Sequence, residues 1–391
     1  MIRTPAFRFA GYYGAFYLLL GCFLPYFPQW LDGRGLSPEW IGWIVAAGMA
    51  GRTLVSPIGA RWSDRAVRRR DPILVFAIGC VVVFGLHGPA SLPWMLLILS
   101  FLSGALVFGQ IPVIDAFATR AARGGAFSFG PVRAFGSALF IVANFSAGAL
   151  IDRFGTESIL AWLILAAGLL ALAAAWLPEG RRPDETGKSG KGDLVHVLRM
   201  LAGPLGIALA ASAMVQSGHG FYYAFSAKAW SEQGLSGTAI GALWATGVAF
   251  EIAFLWLSGR GLLGRASPAM LLAVGSAASV VRWGLTALSP PLWALFALQS
   301  LHALTFAATY VGFLRFASER VPDEHAALAQ AFNSALAGGL VMAAMSAVSG
   351  YFYAQIGAAG FVAMVLPSIC GLGAALLLHR VQALPRREKI D

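Results

Sequence analysis

Twelve apolar stretches, each about 20 residues long, fill most of this 391-residue chain. A helix rises about 1.5 Å per residue, so about 20 residues cross the roughly 30 Å hydrocarbon core of a bilayer. Because 58% of the residues are hydrophobic and 12% are charged, we expect an all-α integral membrane protein. The predicted spans, numbered 1 to 12 in chain order, are 9–31, 40–60, 72–90, 93–119, 130–151, 158–177, 204–227, 238–259, 268–287, 292–314, 326–353 and 358–379.

Positive charge collects on one side of this predicted topology. The two termini and the loops after even-numbered spans carry 22 of the 28 Lys and Arg residues, whereas the opposite side has only Arg34, Arg153 and Lys228. Cytoplasmic loops retain Lys and Arg, so both termini are predicted to be cytoplasmic. This topology accounts for the net charge of +10, and we expect a lipid bilayer and no nucleic acid as partner.

The chain also contains an internal repeat. Residues 35–50 resemble residues 234–249 at an offset of 199, and residues 134–139 resemble residues 331–336 at an offset of 197. Two six-helix halves in the same orientation around a central cavity are therefore predicted. The predicted divisions are an N-terminal bundle 1–177, a cytoplasmic linker 178–203 and a C-terminal bundle 204–391.

Charged side chains inside the spans indicate function, because each costs at least about 2.5–3.5 kcal/mol at the membrane centre. Asp115 in span 4 and Arg133 in span 5 lie on consecutive antiparallel helices and can face each other, either as substrate ligands or as a structural ion pair. Glu251, Arg282 and His302 form the matching set in spans 8 to 10. A buried carboxylate beside Arg or His can load and release a proton. Glu251 is therefore the predicted proton carrier, tuned by Arg282 and His302, with a packing pair as the alternative.

Arg52 aligns with Glu251 in the repeat, so the two halves place opposite charges at equivalent positions. Three embedded arginines face two embedded acids, which leaves one guanidinium without an acidic partner. Such a group can bind a carboxylate bidentately, so an anionic substrate is predicted and a neutral solute stays open. If Arg133 lies at the membrane surface, Arg52 and Arg282 match the two acids and this count no longer favours an anion.

Aromatic residues in spans 1 and 7 suggest the shape of the substrate. Tyr12 and Tyr13 are in span 1, and Tyr222 and Tyr223 are in span 7. Their rings can sandwich a planar or apolar body, although aromatics also serve packing and membrane interfaces. His219, just before the second pair, is either a ligand contact or a packing residue.

The loop between spans 2 and 3 resembles the signature of the major facilitator superfamily, Gly-x-x-x-Asp-Arg-x-Gly-Arg-Arg. Asp64, Arg65 and the arginines at 68–70 fit this signature, whereas Gly59 is one residue early and the second glycine is replaced. The resemblance implies twelve helices in two halves, alternating access, and a gating role for Asp64 and Arg65.

Several short strings narrow the resemblance to the phenylpropionate permease group, a branch near the lactose permease and the nucleoside symporters. They are Ile111–Ala116, Val132–Ser137, Gln216–His219, Val281–Gly284 and Leu301–His302. The resemblance implies a monomer in the bacterial inner membrane that couples a small-molecule substrate to protons, with H⁺ in place of any cofactor. Lactose-permease-like proteins carry an acid one turn after the span-10 histidine, where this chain has Thr305.

Enzyme and ATPase signatures are missing from the sequence. The chain has no P-loop, no H-E-x-x-H and no G-x-S-x-G, and its three cysteines lack metal-ligand spacing. We therefore expect neither an enzyme nor an ATP-driven pump nor a metal site. Three functions stay open: a proton-coupled importer of a small organic acid, a carrier of sugars or nucleosides or a drug/proton antiporter, and a non-transporting sensor or scaffold.

Overall fold

The computed structural model describes residues 4–180, 194–261 and 266–383, without the side chains of residues 60, 64, 194, 327 and 383. These residues are almost entirely helical and form no β-sheet, which confirms the predicted all-α class. The α-helices are α1 (Pro5–Gly33), α2 (Pro38–Arg65), α3 (Arg70–His87), α4 (Pro93–Arg123), α5 (Phe129–Phe154), α6 (Glu157–Trp176), α7 (Leu194–Met200), α8 (Pro204–Ser217), α9 (His219–Glu232), α10 (Gly237–Gly259), α11 (Pro268–Thr286), α12 (Leu292–Ser300), α13 (Thr309–Arg320), α14 (Asp323–Ala335), α15 (Val341–Ile356) and α16 (Val365–Ala383). Two π-helical segments, Ala303–Ala308 and Leu336–Leu340, and one 3₁₀ segment, Gly357–Met364, continue neighbouring helices.

The observed helices account for the predicted spans. Within the described residues, ten helical runs are long and apolar enough to cross a membrane. The last run, Asp323–Gln382, has 60 residues and contains the predicted spans 11 and 12. Span 7 is absent from the ten because it is built from two shorter helices, α8 and α9.

The break in span 7 occurs at Gly218. A Cβ atom on Gly218 would collide with the indole ring of Trp283 on α11. Trp283 is itself fully buried, so the helix can pass this ring only where the chain has no side chain. The predicted span 7 therefore consists of two helices, and the close approach to Trp283 that separates them cannot be seen from hydropathy.

The sequence repeat corresponds to a repeated backbone turn. Gly35 and Gly234 both adopt positive φ, at 78° and 87°, which is the conformation that glycine tolerates at the end of a helix. The next residue in each copy bonds back five positions, Leu36 N–H to the Leu31 carbonyl and Leu235 N–H to the Trp230 carbonyl. The repeated Gly-Leu-Ser string therefore ends one helix and starts the next in both halves of the sequence.

The described residues divide into two compact units. The first unit comprises the described residues of 1–187, 220–245 and 343–357, and the second comprises those of 188–219, 246–342 and 358–391. In the first unit α1 packs on α5 and α6, and α2 packs on α4. In the second unit α11 and α16 pack on each other and on α8. The first unit thus includes segments from both halves of the sequence.

Asp152 joins the two sequence halves within the first unit. Its carboxylate accepts hydrogen bonds from the backbone N–H groups of Gly237 (2.6 Å) and Thr238 (2.9 Å), and from the Thr238 hydroxyl (2.8 Å). The Ser236 hydroxyl accepts a bond from Ala239 N–H in the same turn. The first N–H groups of α10 have no partners within the helix, and a carboxylate also complements the positive helix end.

A second set of polar contacts in the first unit centres on Lys228. Its ammonium group lies 2.6 Å from the Asp32 carboxylate and 2.9 Å from the Glu232 carboxylate. Tyr353 donates its hydroxyl hydrogen to Glu232 at 2.5 Å. All four residues lie at helix ends on the side that has few Lys and Arg residues. The contacts of Lys228 and those of Asp152 therefore stabilise the same side of the first unit.

Replacement of Asp152 by Ala is expected to lower the stability of the purified protein. The loss of the carboxylate leaves two N–H groups of α10 without their acceptor, which costs about 1 kcal/mol by analogy with helix caps. The measurement is the apparent melting temperature in detergent. Asp71→Ala is the control, because Asp71 is an exposed acid in the first turn of α3. Equal melting temperatures for the two variants would contradict the capping role.

Candidate functional site

Asp115 on α4 and Arg133 on α5 form an ion pair in the first unit, with 3.8 Å between Oδ1 and Nε. The same carboxylate oxygen accepts a hydrogen bond of 2.6 Å from the Tyr13 hydroxyl on α1. The Arg133 guanidinium lies 4.6 Å from the ring centroid of Tyr17. Asp115 and Arg133 keep about a third of their side-chain surface accessible, so the pair remains open to a solute.

Arg52 on α2 lies against aromatic residues. Its guanidinium carbon is 4.8 Å from the ring centroid of Phe108, a geometry suited to a cation–π contact. Within the part of the chain that the structure describes, no carboxylate lies within ion-pair distance of Arg52. Phe108 also lines a mainly apolar cavity in the first unit, with a volume of about 30 Å³, which is room for a water molecule. The other lining residues of this cavity are Phe23, Leu24, Phe27, Pro28, Val45, Gly48, Met49, Ser100 and Tyr223.

The two span-7 tyrosines have different positions. Tyr222 is buried and stacks on Trp244, with ring centroids 4.4 Å apart. Tyr223 also stacks on Trp244, at 5.7 Å, and lines the cavity that Phe108 lines. Tyr223 is therefore in a position to touch a solute in that cavity, whereas Tyr222 supports the Trp244 ring behind it.

Arg282 on α11 is the centre of a polar cluster in the second unit and is fully buried. One terminal nitrogen, Nη2, donates to the Gln299 amide oxygen at 2.8 Å. The other, Nη1, contacts the Thr305 hydroxyl at 2.9 Å and His302 Nδ1 at 3.1 Å. These three neutral acceptors take hydrogen bonds from a guanidinium that is expensive to bury without them.

The proton on His302 can be placed from its neighbours. A guanidinium can only donate hydrogen bonds, so His302 Nδ1 must accept the bond from Arg282. The ring hydrogen is then on Nε2, which lies 3.3 Å from Glu251 Oε2 on α10. In this arrangement His302 is neutral and donates to the Glu251 carboxylate. The imidazole therefore stands between Glu251 and Arg282, with one nitrogen toward each.

His219 joins this second cluster. Its ring is fully buried, lies 5.2 Å from the His302 ring, and packs edge-on against Trp283 at 5.6 Å. Its Nε2 atom lies 3.5 Å from the Thr305 hydroxyl. The substrate-binding role predicted for His219 would therefore act through the Arg282 cluster.

The predicted gating residues lie at the end of α2. The side chain of Asp64 lies outside the described residues, and Arg65 is exposed. Arg70, at the start of α3, donates to the Ala175 and Leu177 carbonyls at the end of α6, and Glu179 lies 3.9 Å from it. The arginine run of this loop therefore binds the C-terminal end of α6, where carbonyl groups lack helical partners.

The sequence analysis did not identify two buried glutamines that bind side chains at these sites. Gln110 accepts a 2.6 Å hydrogen bond from the Tyr12 hydroxyl, and Gln299 accepts from Arg282. Both amides lie within long apolar runs and are at most 1% exposed. A buried amide, like a buried charge, needs hydrogen-bond partners. A glutamine inside a predicted span was therefore the sequence signal for a buried polar contact.

Replacement of Gln299 by Leu is expected to destabilise the protein by about 1–3 kcal/mol, because a buried guanidinium N–H loses its acceptor. Gln299→Glu is the matched control, since it retains an acceptor of the same length and should keep most of the stability. The readout is the apparent melting temperature in detergent. A melting temperature of Gln299→Leu equal to that of wild type would show that Gln299 does not stabilise Arg282.

Comparisons with known proteins agree with this architecture. The sequence profile of the MFS_1 like family matches residues 6–363. The chain is 31% identical over 369 residues to the probable 3-phenylpropionic acid transporter of Escherichia coli (strain K12), covering 91% of this chain and 93% of that protein. It is 25% identical over 385 residues to the maltose permease of Geobacillus stearothermophilus, covering 97% and 95% of the two chains.

Solved structures share the fold. The crystal structure of the nucleoside transporter NupG superposes with a TM-score of 0.82 at 13% identity, over 97% of this chain and 100% of that chain. A bacterial homologue of the human lysosomal transporter Spinster, in an inward-facing and unoccupied conformation, gives 0.70 at 16% identity, over 96% of both chains. The fold and family predicted from the sequence are confirmed. The chain belongs to the MFS_1 like family of the major facilitator superfamily, and it is a multi-pass secondary transporter, not an enzyme.

Proposed function

We propose that this transporter imports a small organic acid, an aromatic carboxylate of the phenylpropionate type, together with protons. The observation that carries the proposal is the position of Arg52 beside an aromatic-lined cavity, with no carboxylate partner among the described residues. The relative from Escherichia coli, a probable 3-phenylpropionic acid transporter, supports the same substrate class.

The substrate part of the proposal follows from the three arginines. Arg133 already faces Asp115, and Arg282 already has three polar partners. Arg52 is the embedded arginine whose donors are available for a carboxylate, which a guanidinium binds in a bidentate manner. The rings of Phe108 and Tyr223 provide an apolar surface for the ring of the substrate once their cavity, about 30 Å³ in this structure, widens during the transport cycle.

Other predicted residues are proposed to contribute outside this cavity. Asp115 and Arg133 form an accessible pair that contacts the substrate on its path through the first unit, and Tyr222 supports Tyr223 through Trp244. His219 contributes indirectly, because it packs against His302.

Glu251 is the proposed proton carrier. His302 donates to its carboxylate in the geometry above, and this neutral donor stabilises the ionised form without a full positive charge. Proton binding converts the carboxylate to a carboxylic acid and removes a charge from the membrane interior. Arg282 keeps the His302 tautomer fixed throughout, so Glu251 can gain and lose the proton while its partner stays in place.

Transport follows an alternating-access cycle in this proposal. Substrate on Arg52 and a proton on Glu251 neutralise two embedded charges, which lowers the cost of moving the two halves to the opposite-facing state. We further propose a monomer in the bacterial inner membrane with both termini cytoplasmic, because Lys and Arg collect on that side. Asp64 and Arg65 are proposed to act in gating on the same side.

Uptake of labelled 3-phenylpropionate into proteoliposomes tests the function directly. An inward proton gradient is expected to drive accumulation by the wild type, and excess maltose or nucleoside should not compete. Glu251→Gln should exchange substrate across the membrane but fail to accumulate it, because a neutral amide cannot carry the proton.

Two results would contradict this scheme. Gradient-driven accumulation by Glu251→Gln at the wild-type level would remove Glu251 from coupling. Uptake that is inhibited by maltose or nucleoside and does not respond to 3-phenylpropionate would favour a neutral-solute carrier. Loss of substrate from the proteoliposomes as the proton gradient dissipates would favour an antiporter.

Replacement of Arg52 by Gln is expected to weaken 3-phenylpropionate binding by about 10- to 100-fold, the range for losing hydrogen bonds to a charged group. Binding of the uncharged amide, 3-phenylpropanamide, should change little, so the preference for the acid over the amide disappears. Arg52→Lys keeps the charge but not the bidentate geometry and should give an intermediate preference. Competition against labelled substrate measures the affinities of all three proteins for the acid and the amide, and an unchanged acid preference in Arg52→Gln would refute the carboxylate role.

A further inference from the structure

A cavity of about 300 Å³ opens in the second unit, away from the charged clusters described above. Three helix ends and the linker helix α7 meet there: the start of α8, the end of α13 and the end of α16. The lining residues are Arg199, Met200, Gly203, Pro204, Leu205, Phe316, Arg320, Val381 and Gln382. Its volume is at the lower end of the range for small-molecule sites.

The polar part of this cavity is positive. Arg199 on α7 and Arg320 at the end of α13 are both exposed, and no described carboxylate lies within ion-pair distance of either. Helix α8 starts at the cavity without a side-chain cap, so the N–H group of Leu205 and the helix dipole add positive potential. The neighbouring acids in the sequence, Glu319 and Asp323, are not among the lining residues.

The rest of the lining is apolar, and α7 has the character of an interfacial helix. Met200, Leu205 and Phe316 form the apolar wall. On α7, Val195 and Leu198 are 54% and 49% exposed beside the exposed Arg199. A short helix that exposes both large apolar and cationic side chains is suited to the boundary between lipid headgroups and acyl chains.

We propose that this cavity binds the phosphate headgroup of an anionic phospholipid, with Arg199 and Arg320 on the phosphate. The Lys and Arg distribution assigns these helix ends to the cytoplasmic side, where the leaflet carries anionic lipids that basic pockets between helices recognise. The apolar wall receives the glycerol backbone and the first methylenes of the acyl chains. A free phosphate would satisfy the arginines but would leave this wall without a ligand.

Native mass spectrometry of the purified, full-length protein in mixed micelles tests the site. The probe is dioleoyl-phosphatidylglycerol, with dioleoyl-phosphatidylcholine as the zwitterionic control. Wild type should retain phosphatidylglycerol in preference to phosphatidylcholine. Arg199→Gln and Arg320→Gln should each weaken binding roughly five-fold, and the double variant roughly 25-fold, as expected for about one surface charge interaction each.

Arg380→Gln is the matched control. Arg380 is an exposed arginine near the end of α16 that does not line the cavity, so its removal should change the affinity less than two-fold. An equal loss in Arg380→Gln and in the cavity variants would mean that overall surface charge attracts the lipid, and the proposed site would be wrong.

Soluble ligands distinguish the source of the phosphate. Millimolar inorganic phosphate or sn-glycerol 3-phosphate should fail to displace phosphatidylglycerol, because neither fills the apolar wall. Displacement by either compound at the affinity of the lipid would overturn the lipid assignment in favour of a soluble phosphate ligand. The readout is lipid retention and not transport, so it does not depend on the proposed substrate or on Glu251.

Discussion

The requirement that every charge inside the membrane find a partner governs the interior of this transporter. An unpaired ionised group at the bilayer centre costs several kcal/mol, and the protein meets this cost in different ways. Arg282 is fully buried and uses its two terminal nitrogens to donate to three neutral acceptors. Arg133 lies near Asp115 and two aromatic rings. The same rule makes Arg52 informative, because its described surroundings offer a ring and no carboxylate.

Backbone irregularities lie beside the second cluster. His302 directly precedes the π-helical segment Ala303–Ala308, which contains Thr305. His302 and Thr305 both contact one terminal nitrogen of Arg282, as residues three positions apart on a helix can. The break at Gly218 lies just before His219, which packs edge-on against Trp283. The second cluster thus lies next to two departures from regular helix.

The sequence predicted contacts between neighbouring helices better than contacts between distant ones. Asp115 and Arg133 were expected to face each other because consecutive spans run antiparallel, and they do. The Gly-Leu-Ser repeat likewise indicated equivalent helix junctions, and both copies form the same turn. Hydropathy contains no information on helix rotation, so Gln299 as a partner of Arg282 could not be predicted. Asp152 at the start of α10 was also missed, because this contact joins the two halves of the sequence.

In the proposed mechanism, contact with His302 distinguishes Glu251 from Asp115. Asp115 lies 3.8 Å from the guanidinium of Arg133 and accepts a 2.6 Å hydrogen bond from Tyr13, so its direct partners are a permanent cation and a hydroxyl donor. Glu251 faces a neutral imidazole, and the guanidinium of Arg282 lies on the other side of that ring. His302 therefore links the carboxylate of Glu251 to the guanidinium of Arg282, which fixes its tautomer. A carboxyl group can accept the hydrogen bond from His302 both when it is ionised and when its other oxygen carries a proton. Glu251 therefore keeps this partner through the proposed proton cycle.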